Sequence, residues 1–162
     1  MTVEEVYNEI KEIKRTKGWN NVDFLYAFNI VLERNLKGKN ISELDIEKFI
    51  EPNGFAEKIA KETTIKRSQL RKFFNEVKEL KQKIVEIKPD ENLKPDIRIR
   101  VTALIPKLAY ASGRKTIDKN FYEFMKLLLL KLKDGKRKDF EAFDHIFEAI
   151  IAYHTYHHPK EE

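Results

Sequence analysis

Apolar residues recur at steps of three and four along nearly the whole chain, and this spacing constrains the fold more than any other feature. The clearest run is Leu70, Phe73, Phe74, Val77, Leu80, Ile84 and Ile87, which lays one apolar stripe along a long amphipathic helix. Val3, Val6, Tyr7, Ile10 and Ile13 make a second such run, and Phe24, Leu25, Phe28, Val31 and Leu32 a third. Towards the C-terminus, Phe121, Phe124, Met125, Leu128, Leu129 and Leu132 precede Phe140, Phe143, Phe147, Ile150 and Ile151. Only five glycines and five prolines interrupt 162 residues, which argues against a loop-rich or all-β chain. The spacing predicts an all-α fold.

Punctuation between the runs sets the expected boundaries. Thr2-Val3-Glu4-Glu5 reads as a capping box, and Gly18 as the stop of the first helix. The second helix is expected from about Asn21 to Leu36, closed by Gly38. Ser42 is the expected cap of a short third helix through Leu44, Ile46 and Phe49, which Pro52 ends before an Asn53-Gly54 turn. Asp96 to Val101 alternates apolar and charged residues, a pattern a strand would share. No second strand is visible to pair with it, so Ile97, Val101, Leu104, Ile105 and Leu108 are read as a helix, with a kink expected before Pro106. Gly113 and Asp134-Gly135 are the expected stops of the next two helices. The predicted architecture is a bundle of about five core helices over residues 58–158, with residues 1–57 an N-terminal helical extension packed on it as one domain. Phe73, Leu80, Leu104, Leu108, Phe124, Leu128, Phe143 and Phe147 are its expected core.

Composition narrows the function classes. No apolar run approaches the roughly 18 residues of a membrane span, and Glu4, Glu5 and Glu9 stand where a signal peptide would be basic. A soluble, unexported, cytoplasmic protein is expected. Cysteine is absent, which removes disulfides, thiol nucleophiles and cysteine-ligated zinc. With few glutamines (Gln69 and Gln82) and many Lys, Glu and Ile residues, the composition fits a thermophile. The net charge is +5, but Lys66–Lys88 alone carries eight basic and three acidic residues. Lys94–Lys115 carries six and one, so the remainder sums to −5. Two adjacent segments hold the positive field, as contact with a polyanion requires.

Enzyme chemistry finds no matching residue set. His154, His157 and His158 have helix-compatible spacing for a metal, but no carboxylate or fourth ligand accompanies them. Asp144-His145 reverses the order of the His-Asp phosphohydrolases, and every histidine lies after residue 144. No Gly-x-Ser-x-Gly and no glycine-rich phosphate loop is present. Glu4-Glu5 and Glu161-Glu162 read as solvated charges. Neither a catalytic residue nor a metal or other cofactor is expected.

The basic residues carry better geometry. On a helix, Arg100, Lys107 and Arg114 drift by only about 20° per heptad and so line one stripe, with Ala103 and Tyr110 at its edge. Arg67, Arg71 and Lys78 share a flank of the preceding helix, beside Asn75. Such rows suit a phosphate backbone, and Tyr110 offers a stacking face for a base. They equally suit a solubilised helix flank with Tyr110 partly packed inside, and the residues alone leave both readings open.

Three motifs resemble a known family. Ser68-Gln69-Leu70-Arg71-Lys72-Phe73-Phe74, Pro106-Lys107-Leu108-Ala109-Tyr110-Ala111-Ser112-Gly113-Arg114 and Phe147-Glu148-Ala149-Ile150-Ile151-Ala152-Tyr153-His154 are similar, in order and spacing, to the Csm-type small subunit of type III-A CRISPR effector complexes. The similarity covers roughly residues 58 to 156. It implies an all-helical subunit without nuclease activity, stacked beside copies of itself along an antiviral ribonucleoprotein filament. Its implied partners are the guide–target RNA duplex, single-stranded target RNA, and the backbone and large subunits of the complex. Transferred by motif, Arg71, Lys72, Lys107, Tyr110 and Arg114 are the implied RNA contacts, to which the helix geometry adds Arg67, Lys78 and Arg100. The small subunit of the related Cmr-type (III-B) complexes, or a helical protein–protein adaptor, would share the helical pattern.

Overall fold

The computed structural model describes residues 2–18 and 22–159. They form helices α1 (Val3–Lys17), α2 (Phe24–Asn35), α3 (Ile46–Ile50), α4 (Phe55–Glu62), α5 (Arg67–Lys83), α6 (Pro95–Gly113), α7 (Lys119–Leu132) and α8 (Arg137–His157), with a 3-10 turn at Ile41–Glu43 between α2 and α3. No strand occurs among the described residues, only an isolated bridge between Asn92 and Lys136. The all-α expectation therefore holds. Asn21, at the expected start of α2, and Glu161-Glu162 lie outside the described residues.

Several boundaries follow the sequence. Thr2 Oγ1 accepts the Glu5 N–H while the Glu5 carboxylate accepts the Thr2 N–H, and Gly18 ends α1 at φ 66°, a left-handed conformation that glycine adopts without a Cβ clash. Residues 95–101 are helical, and the burial phase shows why. Ile97 and Val101 are buried while Ile99 is 70% exposed, whereas a strand would put all three on one face. The helix continues through Pro106 to Gly113.

Other boundaries differ. Asp45, not Ser42, caps α3, accepting the Lys48 N–H, because Ser42 lies inside the 3-10 turn and α3 begins only at Ile46; the Ser42 N–H donates to Asp139 Oδ1 at 3.0 Å. The long stripe expected to stay helical through Ile87 leaves the helix after Lys83. Ile84 and Ile87 remain buried, but their segment docks on the start of α8. The Arg137 guanidinium donates to the carbonyls of Val85 and Ile87, and the N–H groups of Arg137 and Lys138 reach the carbonyls of Glu91 and Pro89. Backbone acceptors past the end of α5 are thus satisfied across the fold. Helix α6 does end at Gly113 as expected, and the left-handed residue beyond it is Lys115, at φ 62°.

Helix α8 is the hub. It packs on α3, α4, α5 and the 3-10 turn, while α6 lies on α7, and α2 lies between α1 and α7. One buried cluster extends from Val6 to Ile150. Its N-terminal end is aromatic: Phe28 stands 4.8 Å from Phe55, 6.0 Å from Phe49 and 6.3 Å from Phe124, between ring centroids. The step between residues 57 and 58 lies inside α4, whose apolar face of Phe55, Ala56, Ile59 and Ala60 is buried.

All eight residues expected in the core are buried, none more than 4% exposed. Leu108, at 1%, is enclosed on the α6 face turned inward. Leu108→Ala is expected to lower unfolding free energy by about 2–5 kcal/mol, read from chemical denaturation of the purified chain.

Candidate nucleic-acid interface

Helices α5 and α6 are adjacent and antiparallel, and their inward faces are fixed by Leu70, Phe73, Val77 and Leu80 on one and Val101, Leu104, Leu108 and Ala111 on the other. Beside that seam the short side chains of Ala103 and Pro106 on α6 leave an open groove of about 720 Å³, which Ala111 also lines. Gln69, Lys72 and Glu76 form its α5 wall, and Lys107, Tyr110 and Arg114 its α6 wall. The Lys66 N–H meets the Thr116 carbonyl at 3.4 Å, which closes the groove end where α5 begins and α6 finishes.

The eight sequence candidates divide between two faces of α5. Lys72, Lys107, Tyr110 and Arg114 come together in the α5–α6 groove, with Arg100 farther along the same seam. Arg67 and Arg71 line a different groove, of about 320 Å³, shared with Phe74, Asn75, Ile151 and Thr155 between α5 and α8. Lys78 belongs to that side, its Nζ lying 4.5 Å from the centre of the Phe74 ring. Consecutive residues on a helix point about 100° apart, so Arg71 and Lys72 face different grooves although they adjoin in sequence. Arg67 is partly buried and donates to the His158 carbonyl at 3.0 Å, tying the start of α5 to the end of α8.

Within the α5–α6 groove the charges are not equivalent. Lys107 Nζ is 2.9 Å from Glu76 Oε2, and Glu76 is only 23% exposed. Arg100 Nη2 lies 3.2 Å from Glu79 Oε2. By contrast, no ion pair joins Lys72, Arg71 or Arg114 to a carboxylate among the described residues. Arg114 turns back on Tyr110, donating to its hydroxyl at 3.0 Å with the guanidinium 5.6 Å from the ring centre. Tyr110 itself is 66% exposed, so its ring wall is open to solvent and adds nothing to the core.

The partners Glu76, Glu79 and Gln69 are what the sequence reading passed over. The signal was present: Glu76 and Glu79 are two of the three acidic residues in the basic segment, three residues apart and therefore on the same side of α5. Only the pairing of α5 with α6 shows that this side faces Lys107 and Arg100.

The histidines are occupied elsewhere. His154 Nε2 pairs with the Ile65 carbonyl at 3.0 Å, His158 Nε2 with the Ala60 carbonyl at 3.3 Å, and His157 Nε2 with Glu57 Oε2 at 2.8 Å. Three adjacent imidazoles thus meet three different acceptors on α4 and the segment after it. The Asn53 N–H, followed by His157, holds the Glu57 carboxyl below the usual range. Asp144 is buried and accepts from Lys81 Nζ at 2.8 Å, which raises the Lys81 pKa. Its neighbour His145 is exposed.

Against known proteins, residues 43–160 match the model of the family described as Csm2 Type III-A. No curated protein and no solved structure matches the chain significantly. The matched span begins at the end of the 3-10 turn, ahead of the residues whose motifs carry the resemblance, and takes in α3 to α8 with both grooves. Since it covers well over half of the chain, the protein belongs to the Csm2 family, the small subunits of type III-A CRISPR complexes.

Proposed function

We propose that this small subunit binds RNA through the α5–α6 groove, as a non-catalytic part of an antiviral ribonucleoprotein in the cytoplasm. The convergence of Lys72, Lys107, Tyr110 and Arg114 carries the reading: two segments far apart in sequence bring an aromatic face and three basic side chains to one groove. A phosphate backbone running past Lys72 and Arg114 meets cations without carboxylate partners, and an unstacked base can lie on the exposed Tyr110 ring. Arg71 and Lys78, on the far side of α5, are positioned to meet a second stretch of backbone, while Arg67 and Arg100 are committed to protein partners and contribute charge at longer range. The ligand is the guide–target duplex or the single-stranded target, held together with the backbone and large subunits of the complex and with neighbouring copies of this chain. Residues 1–57 act as an N-terminal extension to the RNA-binding helices. The assignment to a III-A rather than a III-B assembly rests on the family match.

Salt dependence tests this directly. Each phosphate contact to a single strand releases counterions with a log–log slope near 0.7, so the double change Lys72→Ala and Arg114→Ala should flatten the slope by about 1.4, with helicity retained. Binding indifferent to salt and to this pair would favour the adaptor reading instead. Tyr110→Ala should lower affinity by about 1–3 kcal/mol if a base stacks there, yet shift unfolding free energy by less than about 0.5 kcal/mol, as an exposed position does. Incubated alone with magnesium or manganese, the protein should leave single-stranded RNA intact, because among the described residues no group of three or more His, Asp or Glu is placed to hold a metal ion. Cleavage that survives repurification and vanishes on changing a single Asp or His would refute the non-catalytic assignment.

A further inference from the structure

The α5–α6 seam carries cations at both ends but is electrically divided. At the end near Thr116, Lys72 and Arg114 lack carboxylate partners among the described residues, while further along the seam Glu76 holds Lys107 and Glu79 holds Arg100. The two glutamates project from α5 into the seam and hold two of the cations that a nucleic-acid backbone following it would meet. The Glu76 carboxylate is also well enclosed, at 23% exposure, and so is less screened by water than that of Glu79, at 65%. A phosphate approaching Lys107 would have to lie beside the Glu76 carboxylate, and like charges at that spacing disfavour each other.

We infer that Glu76 and Glu79 act as built-in competitors for phosphate, confining the RNA contact to the Lys72–Arg114 end of the groove. This rests on the proposed RNA binding and specifies which part of the site the ligand occupies. Lys107 and Arg100 lie on the same stripe as Arg114, but they stitch α6 to α5 and do not count as phosphate contacts while their carboxylates are present. Neutralising the carboxylates lengthens the binding track, because the cations are already in position and need only be released. Glu76 and Glu79 are thus positioning residues: they decide where along the groove the polyanion lies without touching it.

The test is anisotropy of a labelled, unstructured oligouridine titrated with the full chain across a range of salt concentrations. Glu76→Gln should steepen the log–log salt slope by about 0.7, and Glu76→Gln with Glu79→Gln by about 1.4. In affinity at 0.1 M relative to 1 M salt, each freed contact is then worth roughly five-fold. Adding Lys107→Ala to Glu76→Gln should abolish that variant's gain, since the cycle isolates the pair. Glu33→Gln, on the exposed face of α2 away from the groove, removes the same charge and should leave the slope as it was. An equal gain from Glu33→Gln would reduce the effect to net charge and overturn the inference. No gain from Glu76→Gln, with the slope still flattened by Lys72→Ala and Arg114→Ala, would overturn it while the RNA reading stood. Salt-insensitive binding by the unaltered chain would overturn the RNA reading and this inference with it.

Discussion

Helix α8 is covered by α3 and α4 on one side and by α5 on another, with the 3-10 turn near its start, and burial of its aromatic face organises the fold. Phe140, Phe143, Phe147 and Ile150 are almost wholly removed from water, each worth about 1.5–3 kcal/mol relative to exposure. Polar contacts then fix the register of this helix. Asp139, itself buried, accepts the N–H groups of Ser42 and Lys136, binding the 3-10 turn to the start of α8. Gly135 lies against that carboxylate so closely that an added Cβ would stand 2.9 Å from Asp139 Oδ2. At the other end His154, His157 and His158 hold α4 and the approach to α5.

These contacts reach the candidate interface through α5. Its start is fixed by Arg67 on the His158 carbonyl, and its last turn by Lys81 on the buried Asp144. Because α8 determines which face of α5 is buried, it also determines that Lys72 and Glu76 point towards α6 while Arg71 and Asn75 point away. The groove is therefore a consequence of packing behind it, and its openness comes from short side chains on α6. Membership of the Csm2 family gives this surface its context, and the distribution of paired and unpaired cations gives it a direction.

Much of the fold was legible in sequence because helix periodicity reports burial directly. The apolar stripes identified the eight core residues, and the capping box and Gly18 located α1 through purely local hydrogen bonding. The errors arose where a distant group competed for a local one. Ser42 has the chemistry of a cap, but the 3-10 turn that contains it is tied by its own N–H to Asp139, nearly a hundred residues later, and α3 starts only beyond that turn. Ile84 and Ile87 keep the apolar spacing of a helix, yet Arg137 and the first amides of α8 claim the carbonyls around them.

The same division applies to the interface. Sequence alone determined the helical class, the inward faces and the concentration of cations in two segments, since each depends on residue type and on spacing along one helix. It also aligned Arg100 and Lys107 on α6 with Arg114, the residue that follows it. Only the tertiary structure decided that Lys72 joins this stripe while Arg71, its neighbour, does not, and that Glu76 and Glu79 neutralise two of its three cations. Periodicity fixes the direction of a side chain relative to its own helix axis, whereas the charge it meets depends on which helix lies alongside. That choice is made by packing on α8, through contacts between residues far apart in the chain.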